Sequence, residues 1–354
     1  MKILFELDHL YYLPQFEPII AKLKTIGGHE IFGSINQSVP KIEKQLFIKE
    51  MGRLRLDLVH GNFEPQRRRI IKDMSFDLIF VGNKSSISAI KANNSFCIMV
   101  YHGIGLKQSY YSDLTKDIDL VCTESEARTN KLIELGYHAI TTGFTKLDSL
   151  NNRLKNKNNI PEILYAPTYF PSSLQKTIPV LEKFQDYKVR IKLHHFYWTN
   201  LRYIKIRNIL EERVKDLSFI TISNFEQYNI TPFYETADIL ITDYSSTLFE
   251  FLVLNKPIVQ TTYSTLRFKY KIFPFLLKNR MDNDRISEVD FATLCDSPDL
   301  LLQLVQNGLD DDSKSSCSLR ENARNQFLGS CDGQASSRVI KALNKSGIPI
   351  GVSD

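Results

Sequence analysis

What the chain has little of narrows its class first. Its 354 residues hold five cysteines, Cys97, Cys122, Cys295, Cys317 and Cys331, with no CxxC pair among them. An odd, unpatterned set argues against a disulfide framework and a zinc site, and it points to reduced thiols. No apolar run reaches the roughly eighteen residues that a membrane span requires, and Met1-Lys2-Ile3 leads into a strand pattern without a signal-peptide leader. A cytoplasmic protein is expected. Charge of either sign is nearly balanced, with 45 basic against 40 acidic side chains and a net +5. That balance falls short of a nucleic-acid binder, so no nucleic acid is expected, although an anionic substrate or a membrane surface remains compatible. Repeats of solenoid length are also missing.

What is present describes a large α/β protein. With 43% hydrophobic and 11% aromatic residues the chain can bury a full core, and its length calls for two domains. Apolar runs at 3–7, 29–35, 76–81, 96–101, 120–123 and 139–142 read as strands. A helical stretch at 16–26 follows Pro14 and ends at Gly27-Gly28. The polar, Asn-rich segment 151–159 breaks the alternation and is read as a linker. Strands resume at 163–166, 189–193, 219–222, 238–242 and 257–263. Alternating strands and helices imply parallel sheets covered on both faces. The expectation is two doubly wound, Rossmann-like domains facing across a cleft, 1–150 and 151–330. Further helices are expected at 300–306 and 321–328, with a solvated loop at 310–318. In 331–354 a last helix at 336–343 precedes a frayed tail from Gly347.

The most informative stretch is 237–263, ADILITDYSSTLFEFLVLNKPIVQTTY. Strand 238–242, helix 246–254 and strand 257–263 make one βαβ unit, which places Asp243-Tyr244-Ser245-Ser246 at the strand's carboxyl end and the helix start. Open α/β sheets place ligands there, and unpaired N–H groups with the helix dipole attract phosphate. Ser245 and Ser246 add hydroxyl donors without bulk. Glu250 falls one turn later on the same face, where a carboxylate suits the two hydroxyls of a ribose. The plain alternative is that Asp243 or Ser245 caps the helix.

Three more patches each follow an expected strand. In the first, His102 precedes Gly103, Gly105 and Lys107; an imidazole there can accept a hydroxyl proton, and the glycines let a backbone approach a ligand. A lone histidine is otherwise structural. In the second, Lys192 and His194 share one face of strand 189–193 and offer a cation and a donor. Metal ligation by His194 and His195 is disfavoured, because neighbours on a strand diverge and no carboxylate accompanies them. In the third, Lys146 of Gly143-Phe144-Thr145-Lys146-Leu147-Asp148 either binds an anion or opens the linker. Folding is expected to bring these patches to one cleft.

These residues resemble the CDP-glycerol glycerophosphotransferases of teichoic acid and capsule synthesis, which have the GT-B fold. The likeness rests on HGIGLK at 102–107, GFTKLD at 143–148, ILYAPT at 163–168, KLHH at 192–195, DILITDYSS at 238–246 with KP at 256–257, and DGQAS at 332–336. The family commonly has Gly-Thr-Pro at 103–105 and Pro-Arg at 145–146, and nothing before Phe96 matches it.

The resemblance implies a GT-B-like α/β fold whose last helix returns to the first domain. It implies a CDP-glycerol or related CDP-polyol donor with its pyrophosphate at Ser245 and Ser246, Lys192, His194, Asp243, Gly103 and Lys146 nearby, and its ribose at Glu250. His102 and His194 are the expected catalytic residues: His102 would deprotonate a hydroxyl of a polymer or lipid-linked glycan, expelling CMP. Fixed donors would stabilise the leaving phosphate, so no cofactor or metal is required. Arg67, Arg68 and Arg69 with Arg53 and Arg55 offer a basic surface for peripheral membrane contact, against the plainer reading of a solvated charged face. A GT-B glycosyltransferase, a nucleotide-sugar epimerase and a non-catalytic nucleotide-binding module are the rivals.

Overall fold

The computed structural model describes residues 1–83, 87–112, 114–150, 159–311 and 313–351. The expected linker at 151–159 lies, apart from its last residue, outside the described residues. The chain forms two compact units. The first comprises Met1–Gly103, Tyr110–Asn151 and Gln326–Asp354, and the second Ile104–Ser109 and Asn152–Asn325.

In the first unit, β1 (Lys2–Leu7), β2 (Glu30–Ile35), β3 (Asp57–Leu58), β4 (Leu78–Val81), β5 (Phe96–Val100), β6 (Leu120–Thr123) and β7 (Ala139–Thr141) form one sheet in the order β3-β2-β1-β4-β5-β6-β7. All its pairings are parallel. The strands are apolar on both faces because helices cover both. On one side the helix Leu13–Ile26 buries Phe16, Ile19, Ile20 and Leu23, and Phe5 stacks on Phe80 at 4.6 Å. On the other, Ile79, Val81, Cys97 and Met99 pack with Ile71 and Leu132. Pro14 opens the first helix where its missing N–H costs nothing, and Gly27 ends it at φ +77°. The order reverses between β1 and β4, so ligand-binding geometry belongs at their carboxyl ends.

The second unit repeats the plan with β8 (Glu162–Ala166), β9 (Lys188–Ile191), β10 (Ile220–Ile222), β11 (Ile239–Thr242), β12 (Ile258–Thr261) and β13 (Thr293–Cys295) in the order β10-β9-β8-β11-β12-β13, again all parallel. Its reversal lies between β8 and β11. Ile163, Tyr165, Ile191, Ile239 and Ile241 pack with Leu174, Tyr197, Leu301 and Val305 in its core.

Several expectations are corrected. The edge strands β3 and β13 carry no apolar run, since Asp57, Leu58, Thr293 and Leu294 are exposed. The loop expected at 310–318 is in its second half helical, because Lys314–Leu328 is one helix and Ser313 starts it by accepting from Ser316 N. The tail is pinned rather than frayed up to Gly351: the Asn344 side chain donates to the Gly351 carbonyl and accepts from Ile350 N, and Ile350 is buried. The last helix, Ala335–Lys345, lies in the first unit, where Asp148 accepts from Ala335 N at 3.0 Å and Ser336 N at 2.9 Å. All five cysteines are free thiols.

The basic surface expected around Arg67 loses that residue, while Arg55 and Arg69 are exposed. Arg67 is fully buried; its guanidinium donates to Glu6 at 2.9 Å, to Glu64 at 2.6 Å and to Ser34 Oγ at 3.0 Å. Glu64 also holds Arg68, while Glu17 and Glu50 hold Arg53. A guanidinium folded under a sheet cannot meet lipid.

Candidate active site

At the reversal point of the first unit the loops after β1, β4 and β5 converge. Nδ1 of His102 lies 2.7 Å from the Gly82 carbonyl. A carbonyl only accepts, so Nδ1 carries the hydrogen and the neutral ring keeps its basic lone pair on Nε2. Tyr12 stacks on the imidazole at 4.2 Å and 16°, with Tyr110 at 6.0 Å and Tyr11 edge-on at 5.8 Å. Asn83 Nδ2 donates to the Tyr12 hydroxyl at 2.9 Å and to Asp8 at 2.8 Å, and Asn36 donates to the other Asp8 oxygen at 3.2 Å. The imidazole therefore has a fixed tautomer inside an aromatic frame, beside a carboxylate oriented by two amides. Gly103 follows it, buried, as the last residue of this stretch of the unit.

The same unit holds Lys146, partly buried in the 3-10 turn Thr145–Leu150 after β7, with its ammonium 6.0 Å from the Phe144 ring.

In the second unit the loops after β8, β9 and β11 form a different environment. Tyr244, Ser245 and Ser246 are partly exposed between buried flanks, and the helical run Thr247–Glu250, Phe251–Leu254 begins directly after them. Asp243 neither caps this helix nor faces outward. Its carboxylate is fully buried and accepts from Thr168 N at 2.7 Å, Ser173 N at 3.0 Å and Ser173 Oγ at 3.1 Å. Burial pushes its pKa up to about 7 against the pull of those three donors. It fixes the loop 168–173, which carries Tyr169 and Phe170. Glu250 is also fully buried, and one of its oxygens accepts from the Tyr234 hydroxyl at 2.9 Å.

His194 and Lys192 follow β9. Nδ1 of His194 accepts from Phe196 N at 3.2 Å, so the neutral ring carries its hydrogen on Nε2 and acts as a donor, the reverse of His102. Tyr169 packs on it at 4.6 Å. Lys192 is buried, with Nζ donating to the Leu193 carbonyl at 3.2 Å.

Three cations escaped or exceeded the sequence reading. Lys107 sits 4.9 Å over the Tyr169 ring, and the segment around it is tied to Arg280 and Asp282 by backbone hydrogen bonds. Burial lowers its pKa to about 8, aided by the Arg280 and Arg267 guanidiniums and opposed by Asp243. Arg267 and Arg280 lie over Phe170 at 4.3 and 5.9 Å. They come from a segment without strand periodicity, so nothing in the pattern marked them. Asp8, Tyr12 and Asn83 were detectable by the strand-end rule that found His102. Hydroxyls, a donor imidazole and four cations, Lys192 with these three, suit an anion of several phosphate oxygens.

Residues 67–345 match the family described as CDP-Glycerol:Poly(glycerophosphate) glycerophosphotransferase. The chain belongs to that family. Among relatives of this glycerophosphotransferase family, a teichoic acid glycerol-phosphate primase of Bacillus subtilis (strain 168) is 28% identical over 240 residues, 57% of this chain and 57% of that protein. A teichoic acid glycerol-phosphate transferase of Staphylococcus aureus (strain NCTC 8325 / PS 47) is 24% identical over 231 residues, 58% of this chain and 54% of the other. The matches thus span a little over half the length of these curated relatives. A structure of the wall teichoic acid polymerase TagF, 16% identical, superposes with a TM-score of 0.70 over 98% of this chain and 88% of that one. At that identity the likeness establishes the fold, and the GT-B-like, two-sheet α/β class expected from the sequence is the one found.

Proposed function

We propose that the chain transfers a polyol phosphate, glycerol phosphate first among them, from a CDP-linked donor to a hydroxyl of a teichoic-acid-type polymer or lipid-linked glycan. The acceptor oxygen forms a bond to the donor's β-phosphorus as its proton passes to Nε2 of His102. The bond from that phosphorus to the bridging oxygen breaks, and CMP leaves. In the second unit Ser245, Ser246, His194 Nε2–H, Lys192, Lys107, Arg267 and Arg280 hold the two phosphates and meet the charge that grows on the leaving group.

The observation that carries this reading is the hydrogen bond from His102 Nδ1 to Gly82. It fixes the tautomer a general base needs, in a chain whose family is named for this transfer. The test is CMP release from CDP-glycerol with a glycerol-phosphate primer. His102→Ala should lower turnover at least about a hundredfold while calorimetric CDP affinity is kept. A variant turning over near the wild-type rate would remove His102 from the reaction. Replacing Ser245 and Ser246 together by Ala should weaken CDP binding, and unchanged affinity would remove them from the donor site.

A further inference from the structure

Glu124 is the first residue after β6, and Arg128 stands in the first turn of the helix Glu126–Glu134 that follows, both in the first unit. Their side chains are 1% exposed, and Arg128 Nε donates to Glu124 at 2.7 Å. That pair uses one corner of the guanidinium. Among the described residues neither Nη1 nor Nη2 has a hydrogen-bond partner, although both are buried. Three tyrosines surround the group instead: the rings of Tyr101, Tyr110 and Tyr111 lie 5.5, 5.2 and 5.1 Å from Cζ. Ring faces attract a cation, but they are poor acceptors for its N–H groups, and a buried charged donor without an acceptor is costly. Nη1 and Nη2 together form one whole edge of the guanidinium, the kind of edge that grips two oxygens of a single phosphate.

We propose that this edge of Arg128 takes a phosphate of the acceptor, and so selects an acceptor that carries phosphate beside its attacking hydroxyl over a neutral glycan. Tyr110 links the two functions, since its ring lies 6.0 Å from the His102 imidazole and also packs on Arg128. A polyol-phosphate terminus joins its free hydroxyl to its own phosphate through a short carbon chain. A hydroxyl held at His102 therefore leaves that phosphate a few bonds away, on the scale of the one ring that separates base from guanidinium. Lys131 adds a second positive charge, with Nζ 4.7 Å from the Tyr111 ring. Two of the covering rings can yield. Tyr110 and Tyr111 are partly exposed in the short helix Ser109–Ser112, which buries no residue, whereas Tyr101 is buried directly after β5. Phosphate oxygens then replace ring faces at the two nitrogens, while Glu124 holds Nε and with it the plane of the fork. The identity of the ligand rests on the transfer reading, and the first arm of the test reads binding without turnover.

The experiment is calorimetric titration of the full chain with glycerol 3-phosphate and with glycerol, in saturating CDP so that the donor cations are already taken. The wild type should bind the phosphate and not the neutral polyol. Arg128→Met should lower the affinity for glycerol 3-phosphate by about ten- to a hundredfold, because a charge-assisted fork is lost, and Arg128→Lys should lower it less. CDP affinity should be the same in all three proteins. With a glycerol-phosphate primer, Arg128→Met should raise the primer KM at least about tenfold and keep kcat within about threefold, whereas a packing role through Tyr110 would lower kcat and spare KM. Circular dichroism and thermal midpoints matching the wild type establish that the variants fold. Should the stranded Glu124 unfold Arg128→Met, Arg128→Met/Glu124→Gln takes its place. Should that unfold as well, Arg128→Lys, which keeps Glu124 paired, decides the matter with an expected loss of at least about threefold. A wild type that binds no glycerol 3-phosphate, or folded variants that bind it as the wild type does, would overturn the proposal. Weakened CDP binding with glycerol 3-phosphate unaffected would assign Arg128 to the donor and overturn it too. Absence of CMP release by the wild type would sink the transfer reading, while Arg128-dependent binding of glycerol 3-phosphate would still support the phosphate site.

Discussion

Gly82 and His102 are joined by a 2.7 Å hydrogen bond between the backbone carbonyl of one and the ring Nδ1 of the other. The bond ties the residue after β4 to the second residue after β5. It also decides which ring nitrogen can take a proton. The Tyr12 ring stacked on the imidazole occupies the space that a Cβ on residue 82 would need, so the glycine that fixes the tautomer also leaves room for the ring that packs on it.

Gly82→Ala tests that arrangement. A Cβ at this position would stand 2.8 Å from Tyr12 Cδ2, 3.2 Å from its Cγ and 3.3 Å from Gln15 Nε2. The Tyr12 ring must move, and the imidazole stacked on it moves with it. Misplacing a reacting group by about 1 Å costs about a hundredfold, so a fall in kcat of roughly ten- to a hundredfold is expected. CDP affinity should not change, because the donor residues belong to the other unit. Steady-state kinetics and calorimetry separate the two effects.

Lys107 predicts a pH dependence of donor binding. Its pKa is lowered to about 8, so its charge is present at neutral pH and lost as pH rises through that value. A phosphate anion bound beside it favours the charged form. Binding above pH 8 therefore takes up a proton, and CDP affinity should fall by up to about tenfold per pH unit. Lys107→Arg keeps the charge throughout and should flatten the profile between pH 7 and 9. A wild-type affinity constant over that range would exclude Lys107 from the donor site.

How much of this was legible in the sequence differs between the frame and its contents. The central strands were readable because they are buried on both faces and so are unbroken apolar runs, as in Ile239–Thr242 and Phe96–Val100. Of the four edge strands β7 and β10 were readable as well, but β3 and β13 were not, since Asp57 and Thr293 face water. His102 and Ser245 were marked by position after a strand. The reach of a side chain was not marked: Asp243 has the composition of a helix cap, yet its oxygens are taken by Thr168 and Ser173, about 70 residues earlier in the chain. Arg67 misled for the same reason. Three arginines in a row read as surface charge, and only the fold reveals that Glu6 awaits one of them beneath the sheet.

That buried pair gives a stability prediction. Arg67→Ala leaves the Glu6 carboxylate, itself fully buried, without its guanidinium, and should lower unfolding free energy by about 3–5 kcal/mol. Arg67→Met combined with Glu6→Gln removes both charges at similar volume and should recover a large part of the loss. Urea unfolding of the two variants measures the difference. Equal destabilisation by both would mean that the loss comes from packing and not from a stranded charge.

Asp243 couples stability to pH. Its pKa is about 7 in the folded chain and about 3.8 when unfolded. Between those values the folded state keeps a proton that the unfolded state has released, so stability is greatest at the acid end and falls as pH rises toward 7. A shift of that size corresponds to about 4 kcal/mol across the window. Asp243→Asn cannot titrate, and the comparison of wild type with variant isolates this contribution from that of other groups. At pH 5 the variant should be less stable by about 1–3 kcal/mol, because its amide N–H groups confront Ser173 N–H. Its deficit should shrink toward pH 8, where the wild type has itself lost stability. Parallel profiles would show that the carboxyl does not titrate in this range. The loop that Asp243 pins carries Tyr169 and Phe170, on which Lys107, Arg267 and Arg280 rest. Weaker CDP binding by the variant should therefore accompany its loss of stability, although Asp243 itself is closed to any ligand.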